Sequence, residues 1–389
     1  MNPDTLLFIA VESPFSERDW KRFDIEGLAQ RFNVQVIDLS PIAQPTLYRL
    51  RSETSIKEPR VSAIMSIEQL VSVFETVDGG ALISNIGIGE IRHHLFRLAR
   101  RRNLLITEFE LGAMPNINER ERSHLSRVVQ RFRQVPSIWL VPKKVWGKIR
   151  RKSFSADLPD VFYRGGQLAR GRHPALGSEI VDVHSFDFEL ARTIDTTALS
   201  IDPSRIAYLD QNIGFHSDVP GLGLKQPASA QDFYPLINEY FEWLESEHGF
   251  QVVICPHPRA DVLTTRERFP GREISHSPTA LEVARSGSVL GHVSTSFSFA
   301  VIFRKPVTIL TTSELSRSWY APYISSFVDE LAAPLVDLST RSSWTKPLPA
   351  ITEIQQSLYA LYEANYLNSS FTQTRKLWEL IGDDILSRI

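Results

Sequence analysis

One cysteine, Cys255, in a chain of 389 residues leaves neither an intramolecular disulfide nor a multi-cysteine metal site open, and suits a reducing, cytoplasmic compartment. An excess of charge is also missing. Lys and Arg number 43 against 45 Asp and Glu, a net charge of -2, so no global electrostatic drive toward nucleic acid exists and any basic function has to be local. No apolar run reaches the roughly 18 residues that a spanning helix needs. The opening run Leu6–Val11 follows Asp4, lacks a positive flank and is broken by Glu12 and Pro14, which reads as a first buried strand instead of a signal peptide. No HExxH or spaced Cys/His set occurs, so neither structural nor catalytic zinc is expected.

What is present is ordinary globular composition, 42% hydrophobic and 23% charged, over a length that suits two domains of roughly 150 to 200 residues. Short apolar runs alternate with longer amphipathic stretches, the rhythm of βαβ units around a parallel sheet. Strands are expected at 6–11, 34–39, 81–86, 104–109 and 138–141, with helices at 18–31, 67–74, 90–101 and 123–132. The pattern loosens between 150 and 200, tightening briefly at 180–183 and 186–194, and a polar turn at Ser200, Asp202, Pro203 and Ser204 marks a lobe boundary near 195–204. A second α/β series follows: strands at 206–209, 252–255, 288–291 and 307–310, helices at 233–247, 279–286 and 297–303, and a terminal helix within 372–388.

Three segments of the second series carry chemistry. In ICPHPRA an apolar strand ends in Pro256-His257-Pro258-Arg259, and ligands of open parallel sheets sit outside the carboxyl ends of strands. Two prolines fix that backbone, which aims His257 outward; the alternative is a proline-rich turn with an incidental histidine. In GHVSTSFSFAVIFRKPVTIL a glycine and a histidine lead into Ser294-Thr295-Ser296 and an apolar helix. Hydroxyls and free N–H groups at a helix start suit a phosphate, and they equally suit a plain helix cap. In IAYLDQNIGFHSD, Asp210 follows the first strand of the series, placed to act as general base toward an acceptor hydroxyl or to serve only as a turn residue. His216 and Asp218 form a weaker pair in the same loop.

Other signatures fail. Gly165-Gly166 with Gly171 lacks the Gly-Lys-Ser/Thr of a Walker loop, and Gly87-Ile88-Gly89 has Arg92 where a dinucleotide fingerprint needs its third glycine. Two basic clusters stand out: Arg92, His93, His94, Arg97 and Arg100 to Arg102, and Lys143, Lys144, Lys148, Arg150, Arg151 and Lys152 around Trp146. They read as solvated helix faces or as a basic rim for an anionic acceptor or the anionic inner face of the cell membrane.

His257-Pro258, followed about forty residues later by Ser-Thr-Ser and then by Arg304-Lys305-Pro306-Val307, resembles the C-terminal lobe of GT-B glycosyltransferases of bacterial surface polysaccharide synthesis, such as bacterial sialyltransferases and capsule enzymes. The resemblance covers roughly 205–312; the first lobe matches in rhythm only. It implies two Rossmann-like doubly wound α/β lobes with a cleft between them, an acceptor lobe at 1–198, a nucleotide-sugar lobe at 199–370 and a C-terminal helix at 371–389 returning to the first lobe. It further implies that His257, Arg259, Ser294, Thr295 and Ser296 hold the donor phosphate, with Asp210 standing for the acidic motif. Asp210 is followed by Gln211 and Asn212, where the family pattern pairs acids before glycine. The implied activity is metal- and cofactor-independent transfer of a Kdo- or sialic-type sugar from a CMP-linked donor to a glycan or glycolipid. UDP-sugar 2-epimerisation, CDP-polyol phosphate transfer and non-catalytic sugar-nucleotide binding are the competing expectations.

Overall fold

The structure is a computed structural model that describes residues 4–115, 158–169, 177–216, 219, 224–258, 260–368 and 375–389. The expected helix at 123–132, the expected strand at 138–141, the basic cluster at 143–152, Arg259, Gly171 and Asp218 lie outside the described residues. Contacts divide the chain into two compact units. One takes in the described residues of 1–113, 137–186 and 368–389, the other those of 114–136 and 187–367. The division falls at 186/187, ahead of the polar turn singled out by composition.

In the first unit, β1 Leu6–Val11, β2 Asn33–Asp38, β3 Val61–Ala63, β4 Ala81–Asn85, β5 Leu105–Glu110, β6 Val161–Arg164 and β7 Glu179–Asp182 form one sheet in the order β3-β2-β1-β4-β5-β6-β7. Every pairing is parallel. Strands buried on both faces need apolar residues at every position, and β1 supplies them: Leu7, Ile9 and Val11 enter one core, Phe8 and Ala10 the other. Helices Ile67–Phe74 and Glu90–Arg101 match their expected spans and cover the second core. The single amphipathic stretch expected at 18–31 is instead two helices, Glu17–Arg22 and Ile25–Ala29. Asp24 separates them, because it takes a left-handed φ of 46° and its carboxylate caps the Gly27 N–H.

Helix Leu377–Leu386 closes the first core with Leu377, Trp378, Ile381 and Ile385. Trp378 stacks on Phe23 at 5.3 Å, meets Phe109 and Phe186 edge-on or tilted at 6.1 Å, and donates its indole N–H to the Arg22 carbonyl at 2.7 Å. Arg92, counted from sequence in a basic cluster, is only 4% exposed and pairs with Glu108 at 2.6 Å. Arg97, Arg100 and Arg101 are the exposed basic residues of its helix.

In the second unit, β8 Asp202–Leu209, β9 Gln251–Cys255, β10 Glu273–Ile274, β11 Ser286–Gly291, β12 Val307–Thr311 and β13 Leu335–Asp337 form a second all-parallel sheet, ordered β10-β9-β8-β11-β12-β13. Both sheets therefore reverse direction between their first and fourth strands, the doubly wound order whose switch point is the usual place for a ligand. Residues 202–204, expected as a turn, are the start of β8. Asp202 pairs with Ser286 across an irregularity, and a Cβ at Gly287 would lie 2.4 Å from the Pro203 carbonyl oxygen, so only glycine permits the approach. Helix Ala230–His248 lays Phe233, Ile237, Tyr240, Phe241 and Leu244 inward at helical spacing and ends on Gly249 at φ 69°. Among the described residues no helix is long and apolar enough to cross a membrane.

Truncating Trp378 removes a buried indole from three aromatic neighbours and takes away the N–H that it donates to the Arg22 carbonyl. Trp378→Ala is expected to destabilise the first unit by about 3 to 5 kcal/mol, measured by urea denaturation followed by near-ultraviolet circular dichroism.

Candidate functional site

The site is built at the carboxyl ends of three neighbouring strands of the second unit, β9, β8 and β11. Leu209 pairs with Cys255 on one side, and Tyr208 pairs with Leu290 on the other. The residues that follow, Asp210, His257 and His292 to Ser296, are thereby gathered at one end of the sheet. The Asp210 N–H donates to the Cys255 carbonyl at 3.0 Å, and the His257 carbonyl accepts from Ala260 N–H at 2.8 Å, which fixes the short proline-rich loop. His257 is half-buried and its ring lies 4.7 Å from that of His216. Sequence spacing had marked both histidines without indicating that they meet.

Gly291 is the last residue of β11. A Cβ there would lie 2.9 Å from the Phe297 ring, so the missing side chain lets Phe297 fold beneath the turn that carries Ser294, Thr295 and Ser296. The Ser296 N–H donates to Ser294 Oγ at 3.1 Å, while the Ser294 carbonyl accepts from Phe297 N–H at 3.3 Å. Ser294 is 6% exposed; Thr295 and Ser296 are half-buried. His292, which precedes them, is fully enclosed and is a framework residue. Its Nδ1–H donates to the Leu310 carbonyl at 2.7 Å, leaving Nε2 to accept from the Tyr208 hydroxyl at 3.2 Å. Burial pushes its pKa down to about 4, which keeps the ring neutral. Lys305 is likewise buried, its pKa lowered by burial, and its carbonyl accepts from the Tyr359 hydroxyl at 2.9 Å.

Asp210 is 2% exposed. Its Oδ1 accepts the Asn212 N–H at 2.9 Å, while Oδ2 makes no hydrogen bond among the described residues. Burial raises its pKa to about 6, opposed by the Asn212 N–H, the Arg268 charge and the N–H groups of His257 and Gln211. Arg268 donates to Asn212 Oδ1 and lies 4.1 Å over the Phe215 ring and 5.5 Å from that of Tyr234. The sequence gives no sign of Arg268; it reaches the site from the last turn of helix Val262–Arg268. Asn212 could have been read, since an acid two residues before an asparagine is a turn signature, and Asn212 takes a left-handed φ of 52°.

A cavity of about 540 Å³ in the same unit lies between Asp232 and Leu236 of helix Ala230–His248 and Thr312, Glu314, Arg317 and Ser339 beyond β12 and β13. Neither His257 nor Ser294 lines it. No group of three or more His, Cys, Asp or Glu side chains among the described residues is arranged to hold a metal ion.

No protein-family model matches the chain, and no curated protein does. Solved structures do. The wall teichoic acid polymerase TagF with CDPG aligns over 99% of this chain and 88% of its own at 12% identity and a TM-score of 0.50. The S. aureus MnaA–UDP co-structure aligns over 99% and 96% at 13% identity and a TM-score of 0.48. UDP-GlcNAc 2-epimerase from Neisseria meningitidis bound to UDP-GlcNAc aligns over 99% and 100% at 14% identity and a TM-score of 0.47. At such identities the likeness establishes fold alone: the chain has the two-unit, parallel-sheet α/β architecture of GT-B proteins.

The buried carboxyl makes a pH prediction. Between about pH 4 and pH 6 the folded state holds a proton on Asp210 that the unfolded chain has released, so this group's contribution to stability falls as pH rises through that window. Asp210→Asn is expected to remove that fall, gaining up to about 3 kcal/mol on the wild type at pH 7 relative to pH 4, measured by urea denaturation of both proteins at the two pH values.

Proposed function

We propose that the protein is a glycosyltransferase that takes a nucleotide-linked sugar, with a CMP-linked Kdo- or sialic-type donor as the specific expectation, and transfers it to a glycan or glycolipid. The observation that carries the proposal is the gathering of His257 and Ser294, Thr295 and Ser296 beyond the ends of β9 and β11, the two strands that flank β8 in a doubly wound unit. Departure of a nucleotide phosphate develops negative charge, which preorganised donors stabilise with no reorganisation at the moment of reaction. His257 as imidazolium or N–H donor, the three hydroxyls and the backbone N–H groups of the turn are donors of that kind. Arg259, next to Pro258, would add a guanidinium. The exposed Arg97, Arg100 and Arg101 of the first unit would meet an anionic acceptor or a membrane surface.

A thermal-shift panel of CMP, CDP, UDP, UMP and GDP tests the donor class. A ligand at a hundred times its Kd stabilises the folded state by about 2.7 kcal/mol, and CMP is expected to lead. His257→Ala should weaken that nucleotide by about 10- to 100-fold through loss of a charge-assisted hydrogen bond and abolish turnover. Unchanged binding and turnover in the variant would falsify the site assignment. A lead by CDP moves the reading to polyol phosphate transfer. Conversion of UDP-GlcNAc without acceptor moves it to 2-epimerisation, and nucleotide binding with no donor turned over moves it to a binding protein.

A further inference from the structure

β8 lies between β9 and β11 in its sheet. The residue that follows β8 therefore stands level with Pro256 on one side and His292 on the other, the residues that lead into the two segments proposed to hold the phosphate. That residue is Asp210. At 2% exposure its carboxyl is enclosed, which separates it from the role of a base that touches an acceptor hydroxyl. Yet an ionised carboxylate beneath an incoming anion is electrostatically opposed to it.

We infer that Asp210 is a positioning residue whose carboxyl takes up a proton when a phosphate-type anion enters between His257 and Ser294 to Ser296, so that anion binding and protonation of Asp210 favour each other. The inference rests on the phosphate reading above and adds to it a proton-linked control. Geometry supports it first. One oxygen is committed to the Asn212 N–H and the other makes no hydrogen bond among the described residues, so a proton can be carried there without breaking the turn. The groups facing the carboxyl come from every element around it. They are Tyr208 on β8, Tyr234 on helix Ala230–His248, Arg268 on helix Val262–Arg268, Tyr320 beyond β12, and the N–H groups of Gln211 and His257. His216 and His292 complete the surroundings of the two loops. The carboxyl already titrates near 6, where a modest field moves its protonation. A unit negative charge at roughly 8 Å in an effective dielectric of about 20 changes that equilibrium about thirtyfold, and a dianion changes it more; linkage makes the effect on anion affinity the same factor.

Sodium sulfate serves as probe, because it does not titrate between pH 5 and 8. Calorimetric titrations of wild type and Asp210→Asn at pH 6, in two buffers of different ionisation enthalpy, give the protons taken up per sulfate. Proton NMR of the histidine rings, followed in both proteins with and without sulfate, gives the uptake by His216 and His257, and the difference that remains after subtracting it belongs to Asp210. Wild type is expected to take up more, by as much as about half a proton at a pH equal to the pKa. Its sulfate affinity should also fall at least about twentyfold further than the variant's between pH 5 and pH 8. Equal uptake with parallel pH curves overturns the inference and leaves the anion pocket standing. Failure of folded wild type to bind sulfate overturns the pocket and the inference together. If Asp210→Asn does not fold, carbon-13 NMR of aspartate-labelled wild type decides: a carboxyl midpoint near pH 6 that rises with sulfate supports the inference, and an unmoved midpoint overturns it.

Discussion

One buried carboxyl organises the polar end of the second unit. Placing an aspartate between two strand ends in a nearly closed environment is unfavourable for its charged form, and the neighbouring elements are arranged to offset that. The Asn212 N–H holds one oxygen, and Arg268 contributes positive charge while bonded to Asn212 Oδ1 and stacked on Phe215. The same turn places His216 against His257. A change at Asp210 would therefore reach both histidines through a chain of direct contacts, with no movement of the sheet required.

The two histidines nearest the strand ends have opposite fates, and the difference is environmental. His292 follows β11, is sealed beneath Phe233 and Tyr208, and has both ring nitrogens committed, so it stays neutral and holds β12 to β8. His257 follows β9 between two prolines, where the backbone loses donors and the ring is left half-buried. In the sequence both are histidines directly after apolar strands. Only the flanking residues differ: glycine before His292 invites close packing, and prolines around His257 resist it.

The fold was legible wherever a strand is buried on both faces, because β1 and β9 are apolar at nearly every position and β4 and β12 each carry three apolar residues in five. Three-residue β3 carries too little pattern to be told from loop, and the edge strand β7, with its exposed Glu179 and Ile180, shows only as a brief tightening of the pattern at 180–183. The break at Asp24 escaped for another reason: a left-handed aspartate is rare enough that amphipathic spacing on both sides suggests one helix. Within the site, His257 and the serine turn were legible from their place after strands. The burial of Asp210 was not, since it depends on Tyr234, Arg268 and Tyr320, which lie between 24 and 110 residues away in sequence. Arg92 shows the same limit in reverse, a cation counted as surface charge until Glu108 is seen beside it.

The two units share a winding order, and that makes their difference informative. In the first, the loop after β4 is Gly87-Ile88-Gly89 leading into helix Glu90–Arg101, a sequence suited to receiving an anion on backbone N–H groups. The Gly87 N–H is instead taken by the carboxylate of Glu12, which follows β1, at 2.8 Å, and Glu90 opens the helix. The protein thus supplies its own anion at that switch point, and a phosphate arriving there would face two carboxylates. In the second unit the acid after the first strand turns inward onto its own loop, and the fourth strand is followed by hydroxyls where the first unit has glycines. Equal topology thus carries different chemistry at the two switch points, and the proposed phosphate site is placed in the second unit on the chemistry of those loops and not on the fold.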